Sequence, residues 1–232
     1  MTGCPAGEKT GMWTRMASLT EGIKLSAYER IVKYYLRYVL LRCCEYTNNR
    51  CEAEQIAAYT LMTTCSLLEQ LRHAGELGWL LDRMVEVIAE ERSGLGRVNG
   101  GAQTCGSSRL LSDGKVRRVA DCVNRLDRLG RQVLVLGLIE KMSVKTISEI
   151  YGKSVEEIIL ARDIAEIEMA ECLCRSGAGE CIEDLSVLMR GLGQSLEPRS
   201  RRCITKAVLC YLVEDEKENC RVAGLFRQEE LN

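Results

Sequence analysis

Histidine, proline and aromatic side chains are all scarce in this chain. Of 232 residues, one is histidine, two are proline, one is phenylalanine and two are tryptophan, and aromatics total 5%. A lone histidine, His73, excludes a histidine-rich metal centre and leaves histidine-dependent acid–base chemistry a single candidate, around which no motif is built. No nucleophile, base pair or phosphate-cradling glycine loop stands at a supporting spacing, so neither catalysis nor a cofactor is expected. With prolines only at positions 5 and 198, nearly the whole chain is open to long helices. Apolar runs are short as well. None approaches the ~20 residues of a membrane span, and the opening MTGCPAGEKTGMWTR carries no apolar signal core, so a cytoplasmic protein without a membrane partner is expected. An excess of one charge is also missing: 32 Lys and Arg meet 33 Asp and Glu, a formal net charge of −1. Nucleic-acid binding would therefore have to come from a local basic patch.

What is present is a 46% hydrophobic fraction, enough for small cores and too much for wholesale disorder. Thirteen cysteines, about 6% of the chain, fall below the ~8–10% of a disulfide scaffold. Many sit inside apolar helical patterns such as Leu41-Arg42-Cys43-Cys44, and they read as reduced, mostly buried thiols. Cys203, Cys210 and Cys220, with Cys172, Cys174 or Cys181, could supply thiolates, but no C-x-x-C pair occurs and the spacings fit no standard zinc site, so no metal is assigned.

Apolar periodicity places a first helix at about 26–46, opened by a capping box of Ser26 and Glu29, a second at about 52–71 and a third at about 79–92. The stretch SGLGRVNGGAQTCGSS, rich in Gly, Ser and Asn, reads as a flexible linker. Beyond it, Ser112 opens a helix to about Arg128, another covers about 131–141, and a short one starts at Ser143. That one stops at Tyr151-Gly152, and Ser154 with Glu157 forms a capping box for a helix reaching about Cys172. Short helix, glycine turn and longer helix make a helix-turn-helix pattern. Further helical patterns lie near 181–191, 199–213 and 220–230. The expectation is an all-α fold: a tail (1–25), a helical domain (26–92), a linker (93–111), a helix-turn-helix domain (112–175) and a C-terminal helical appendage (176–232).

This layout resembles the extracytoplasmic-function sigma factors of bacterial RNA polymerase. In LDRLGRQVLVLGLIEKMSVKTISEIYGKSVEEI, from Leu126, the family pattern is matched at Val133, Leu134, Leu136, Glu140, Ser143, Ile147, Glu149, Ile150, Gly152, Ser154 and Ile158. CEAEQIAAYTLMTTCSLL from Cys51 and GWLLDRMVEVIAEER from Gly78 resemble the family's core-binding and promoter-melting segments. The resemblance implies an adaptor between RNA polymerase core and promoter DNA. The first domain would dock on polymerase through Glu52, Glu54 and Gln55. The helix-turn-helix would enter the major groove with Lys145, Lys153, Ser154 and Arg162 nearest the groove, the appendage would be regulatory, and an anti-sigma or other regulatory protein would be a further partner.

The chain departs from that pattern in its charges. Asp82, Glu86, Glu90 and Glu91 stand where the promoter-melting helix is basic. In the recognition helix Arg162 stands among Glu156, Glu157, Asp163, Glu166, Glu168 and Glu171. Each missing phosphate contact forfeits counterion release. Basic residues lie instead at Arg30, Lys33, Arg37 and Arg42 and at Lys115, Arg117, Arg118, Arg125, Arg128 and Arg131. A second reading is therefore a degenerate sigma-like protein that acts as a protein-interaction module without DNA binding. Tyr34, Tyr35 and Tyr38 read as packing residues, as does Trp79.

Overall fold

One helix is enclosed by the others. Helix α1 (Glu21–Cys43) carries apolar side chains on every side of its second half, and the four consecutive residues Tyr38, Val39, Leu40 and Leu41 are all fully buried. A stretch of helix apolar all round has no face to give to solvent, so four later segments of the chain pack against it. The computed structural model describes residues 21–71, 75–96, 109–175, 185–198 and 201–212. His73, most of the expected linker and the pattern near 220–230 lie outside the described residues.

Around α1 stand α2 (Arg50–Ser66), α3 (Glu76–Gly96), α4 (Gly114–Arg125), α5 (Arg128–Leu134), α6 (Val144–Tyr151), α7 (Val155–Arg175) and α8 (Leu185–Ser195), with α9 over 201–212. Helix α5 runs into a π-helical turn, Val135–Ile139. Among the described residues every regular element is helical, and the isolated bridge between Asn49 and Arg109 is the only pairing of extended backbone. The fold is all-α.

Several boundaries differ from the periodicity reading, for local reasons. Helix α1 already runs from Glu21, so Ser26 and Glu29 lie inside it and are not a cap. Asp113, not Ser112, caps α4 by accepting the Lys115 N–H at 2.7 Å. Asp127 caps α5 through the Gly130 N–H at 2.8 Å, which starts that helix three residues before Arg131. Helix α3 continues to Gly96, and Leu110 and Leu111, assigned to the linker, are buried.

A single buried cluster runs from Tyr28 through α2 to α8 and on to Leu212. The segments 26–92 and 112–175 thus share apolar surface, and polar contacts bring residues 185–212 onto them. The Arg50 guanidinium donates to the carbonyls of Glu197 (2.9 Å), Ser195 (2.8 Å) and Leu110 (3.1 Å). Arg37 bridges Glu140 at 3.1 Å and Glu197, which also binds Arg201 at 2.7 Å.

Candidate functional site

The turn between α6 and α7 is built by local chemistry. Ser143 caps α6 by accepting the Thr146 N–H at 3.1 Å. Gly152 ends the helix in the left-handed region, φ 61°, with its N–H returned to the Ser148 carbonyl. Glycine alone adopts that conformation without a Cβ penalty. The expected capping box is in place: the Ser154 N–H donates to Glu157 Oε2 at 2.8 Å and the Glu157 N–H to Ser154 Oγ at 3.1 Å. That backbone donor, seconded by Lys153, holds the Glu157 carboxyl below its usual range.

Helix α7 seats Ile158, Ala165, Met169 and Leu173 on its neighbours and packs on α4, α5 and α6. A disulfide between Cys122 and Cys172 ties it to α4, which corrects the expectation of reduced thiols for that pair. Cys174, Cys203 and Cys210 are exposed free thiols, and among the described residues no group of His, Cys, Asp and Glu is arranged to hold a metal ion.

The residues expected near the groove are only partly together. Lys153 and Ser154 share the turn, Arg162 lies two helical turns on, and Lys145 is exposed on α6. Two of the three cations are engaged by carboxylates. Lys153 Nζ is 3.6 Å from Glu157, and Arg162 lies 3.5 Å from Asp163 and 3.6 Å from Glu166. Ser154 is committed to its cap. In the set expected to face polymerase, Glu52 accepts from Thr47, and Glu54 is turned inward beside Arg50 at 3.9 Å. Gln55 is exposed and accepts from Arg92 at 2.6 Å. Arg92 in turn lies over the ring of exposed Tyr59, 4.7 Å from its centroid.

Asp82, expected to face outward on the segment likened to a promoter-melting helix, does not. Its Oδ1 accepts from the Tyr38 hydroxyl at 2.7 Å and from Arg42 at 3.1 Å, while Oδ2 lies 3.4 Å from Arg128 and 3.6 Å from Arg131. Three cations of the expected basic surface are therefore drawn to one carboxylate, Arg42 and Arg131 largely buried beside it and Arg128 half exposed. The Gln132 amide extends it, donating to Tyr38 Oη at 3.2 Å and accepting from Tyr151 Oη at 2.6 Å. Tyr35 and Tyr38 are buried as expected, but Trp79 is 48% exposed, which corrects its placement in the core.

Burial pushes the Tyr35 phenol up to about 12 and raises those of Tyr38 and Tyr151, with Asp82 adding to the rise at Tyr38. Unfolded tyrosines ionise near pH ~10. The stability these phenols contribute is then whole below pH ~10 and is lost as pH climbs toward the folded values, by up to ~1.4 kcal/mol per pH unit for each group. The thiols of Cys44 and Cys65, raised by burial to about 12, start the decline near pH ~9. Denaturant unfolding at pH 8 and pH 11 should show the loss, with the tyrosinate absorbance of these three of the eight phenols withheld until the protein unfolds. All eight phenols titrating together near pH ~10 in an intact fold would contradict it.

Sequence reasoning missed the outward face of α7. Leu160, Ile164 and Ile167 are 61%, 47% and 62% exposed, and their i, i+4, i+7 spacing places them within about 60° of one another around the axis. The signal was available, because α7 carries more apolar positions than one buried stripe can hold. Glu156, Glu157, Asp163, Glu168 and Glu171 surround the three.

Comparison with family models, with curated proteins and with solved structures gives no match to the chain. Among the described residues no helix is long and apolar enough to cross a membrane.

Proposed function

We propose that the chain is a sigma-like, non-catalytic protein-interaction module, a helix-turn-helix adaptor that works through protein contacts without reading DNA. The observation that carries this is the outward surface of α7, where a groove-reading helix needs cations and donors but the chain presents leucine and isoleucine among carboxylates. Burying aliphatic side chains against phosphates returns nothing, and the carboxylates repel them. The pairing of Lys153 and Arg162 with acids of their own segment supports the same reading.

A second reading, a sigma factor linking RNA polymerase core to promoter DNA in the cytoplasm, draws support from the resemblance of Leu126–Ile158. The left-handed bend at Gly152 and the capping box after it also favour this reading. Selection of fragments from a random duplex library, with and without polymerase core, separates the two. The interaction module predicts no enriched motif in either arm. An enriched motif that requires polymerase core would overturn it in favour of the promoter-linking reading.

A further inference from the structure

We infer that the outward face of α7 is a docking surface for a basic amphipathic helix of another protein. The inference rests on the interaction-module reading and gives that module a partner. Single exposed apolar residues are ordinary, but Leu160, Ile164 and Ile167 form one stripe along two turns, a length of roughly 10 Å. Such a stripe matches the i, i+3, i+4 and i+7 anchors by which one helix lies along another.

Charge selects the occupant. Glu156 and Asp163 line one edge of the stripe, Glu157 and Glu168 the other, and Glu171 closes its C-terminal end, all of them exposed; Lys153, Arg162 and Arg175 answer Glu157, Asp163 and Glu171, so five carboxylates less three cations leave the rim a surplus of two. A second copy laid antiparallel would set Glu156, Glu157 and Asp163 against Glu168 and Glu171, like charge facing like charge. The chain's own last stretch, 213–232, holds six carboxylates and three cations, so it has the wrong sign to complement the rim. A helix with Leu or Ile along one stripe and Lys or Arg on its flanks satisfies both the apolar centre and the acidic border. The face is also independent of the fold, since its side chains contribute nothing to the core cluster.

The test uses the full chain and two labelled synthetic helical peptides, one with Leu at i, i+3, i+4 and i+7 flanked by Lys, the other identical but with Glu for every Lys. Saturable binding of the basic peptide and none of the acidic one is expected. The variant Leu160→Gln with Ile167→Gln should weaken the basic peptide roughly tenfold or more, as for truncation of central anchors, with its circular dichroism and unfolding midpoint unchanged. Glu168→Lys with Glu171→Lys should reverse the preference between the peptides. Equal binding of both peptides, or binding indifferent to both double variants, would overturn the docking surface. So would a concentration-dependent dimer abolished by Ile164→Gln, which would assign the face to a second copy. Duplex DNA displacing the peptide would overturn the docking surface and the interaction-module reading together, whereas peptide failure with a blank DNA selection removes the docking surface alone.

Discussion

Asp82→Ala should lower the unfolding free energy by about 3–5 kcal/mol, the cost of stripping the counter-charge from buried ions. The carboxylate bonds Tyr38 and Arg42 through one oxygen and faces Arg128 and Arg131 through the other. Arg42 and Arg131 are themselves largely buried, with side chains 13% and 9% exposed. Without Asp82, Arg42 keeps Glu45 at 2.6 Å on its outer side, whereas among the described residues Arg131 keeps only the Asn124 carbonyl at 3.0 Å. Arg128 is half exposed and solvent screens it, so its share of the loss is small. Asp82→Asn preserves the shape and removes the charge, and should fall between alanine and the parent. Urea denaturation decides the matter. A change below about 1 kcal/mol for Asp82→Ala, the range of a surface ion pair, would show that the cluster is not buried as described.

Gly78→Ala is the second large effect. A Cβ at position 78 would overlap the Gln132 amide, and that side chain has little room to yield, because it is 1% exposed and bonded to both Tyr38 and Tyr151. Moving it takes the acceptor from the buried Tyr151 hydroxyl and leaves the Gln132 amide itself unpaired, while Tyr38 keeps Asp82; each unsatisfied group costs about 1–3 kcal/mol, and the alternative forces α3 away from α5. A loss of about 2–4 kcal/mol is expected from overpacking and broken bonds together. Gly191→Ala supplies the control. Nothing lies within 4 Å of a Cβ there, in the interior of α8, so alanine should be neutral or stabilise by up to about 1 kcal/mol. Equal unfolding midpoints for the two variants would contradict the tight approach of α3 to Gln132.

Both effects lie in features that distance along the chain hides. Part of the short-range chemistry is readable: the helix start at Ser143, Gly152 as the turn, and the Ser154–Glu157 capping box each depend on residues at most four apart, whereas the equally local Ser26–Glu29 box and Ser112 cap are displaced by an earlier helix start and by Asp113. The helical class followed from period and from the shortage of proline. Asp82 and its cations are misread because the pairing joins residues forty or more positions apart, and an acid on a helix carries no mark of the direction it faces. Trp79 was placed inside for a similar reason, since apolar character does not tell which side of α3 meets α1. The Cys122–Cys172 bridge spans 50 residues and leaves no trace in local spacing. In the candidate site, the residues carried over from the family resemblance were located by motif. Their electrostatic engagement with Glu157, Asp163 and Glu166, and the apolar stripe beside them, required the helix to be placed against its neighbours.

The most direct trial of the proposed interaction module is the salt dependence of duplex binding by the full chain, followed by fluorescence anisotropy from about 50 to 200 mM monovalent salt. With the cations of α7 and its turn paired and carboxylates facing outward, no measurable affinity is predicted at either end of that range. A duplex affinity that falls about 10³-fold or more across it, as for a protein contacting six or more phosphates, would contradict the account.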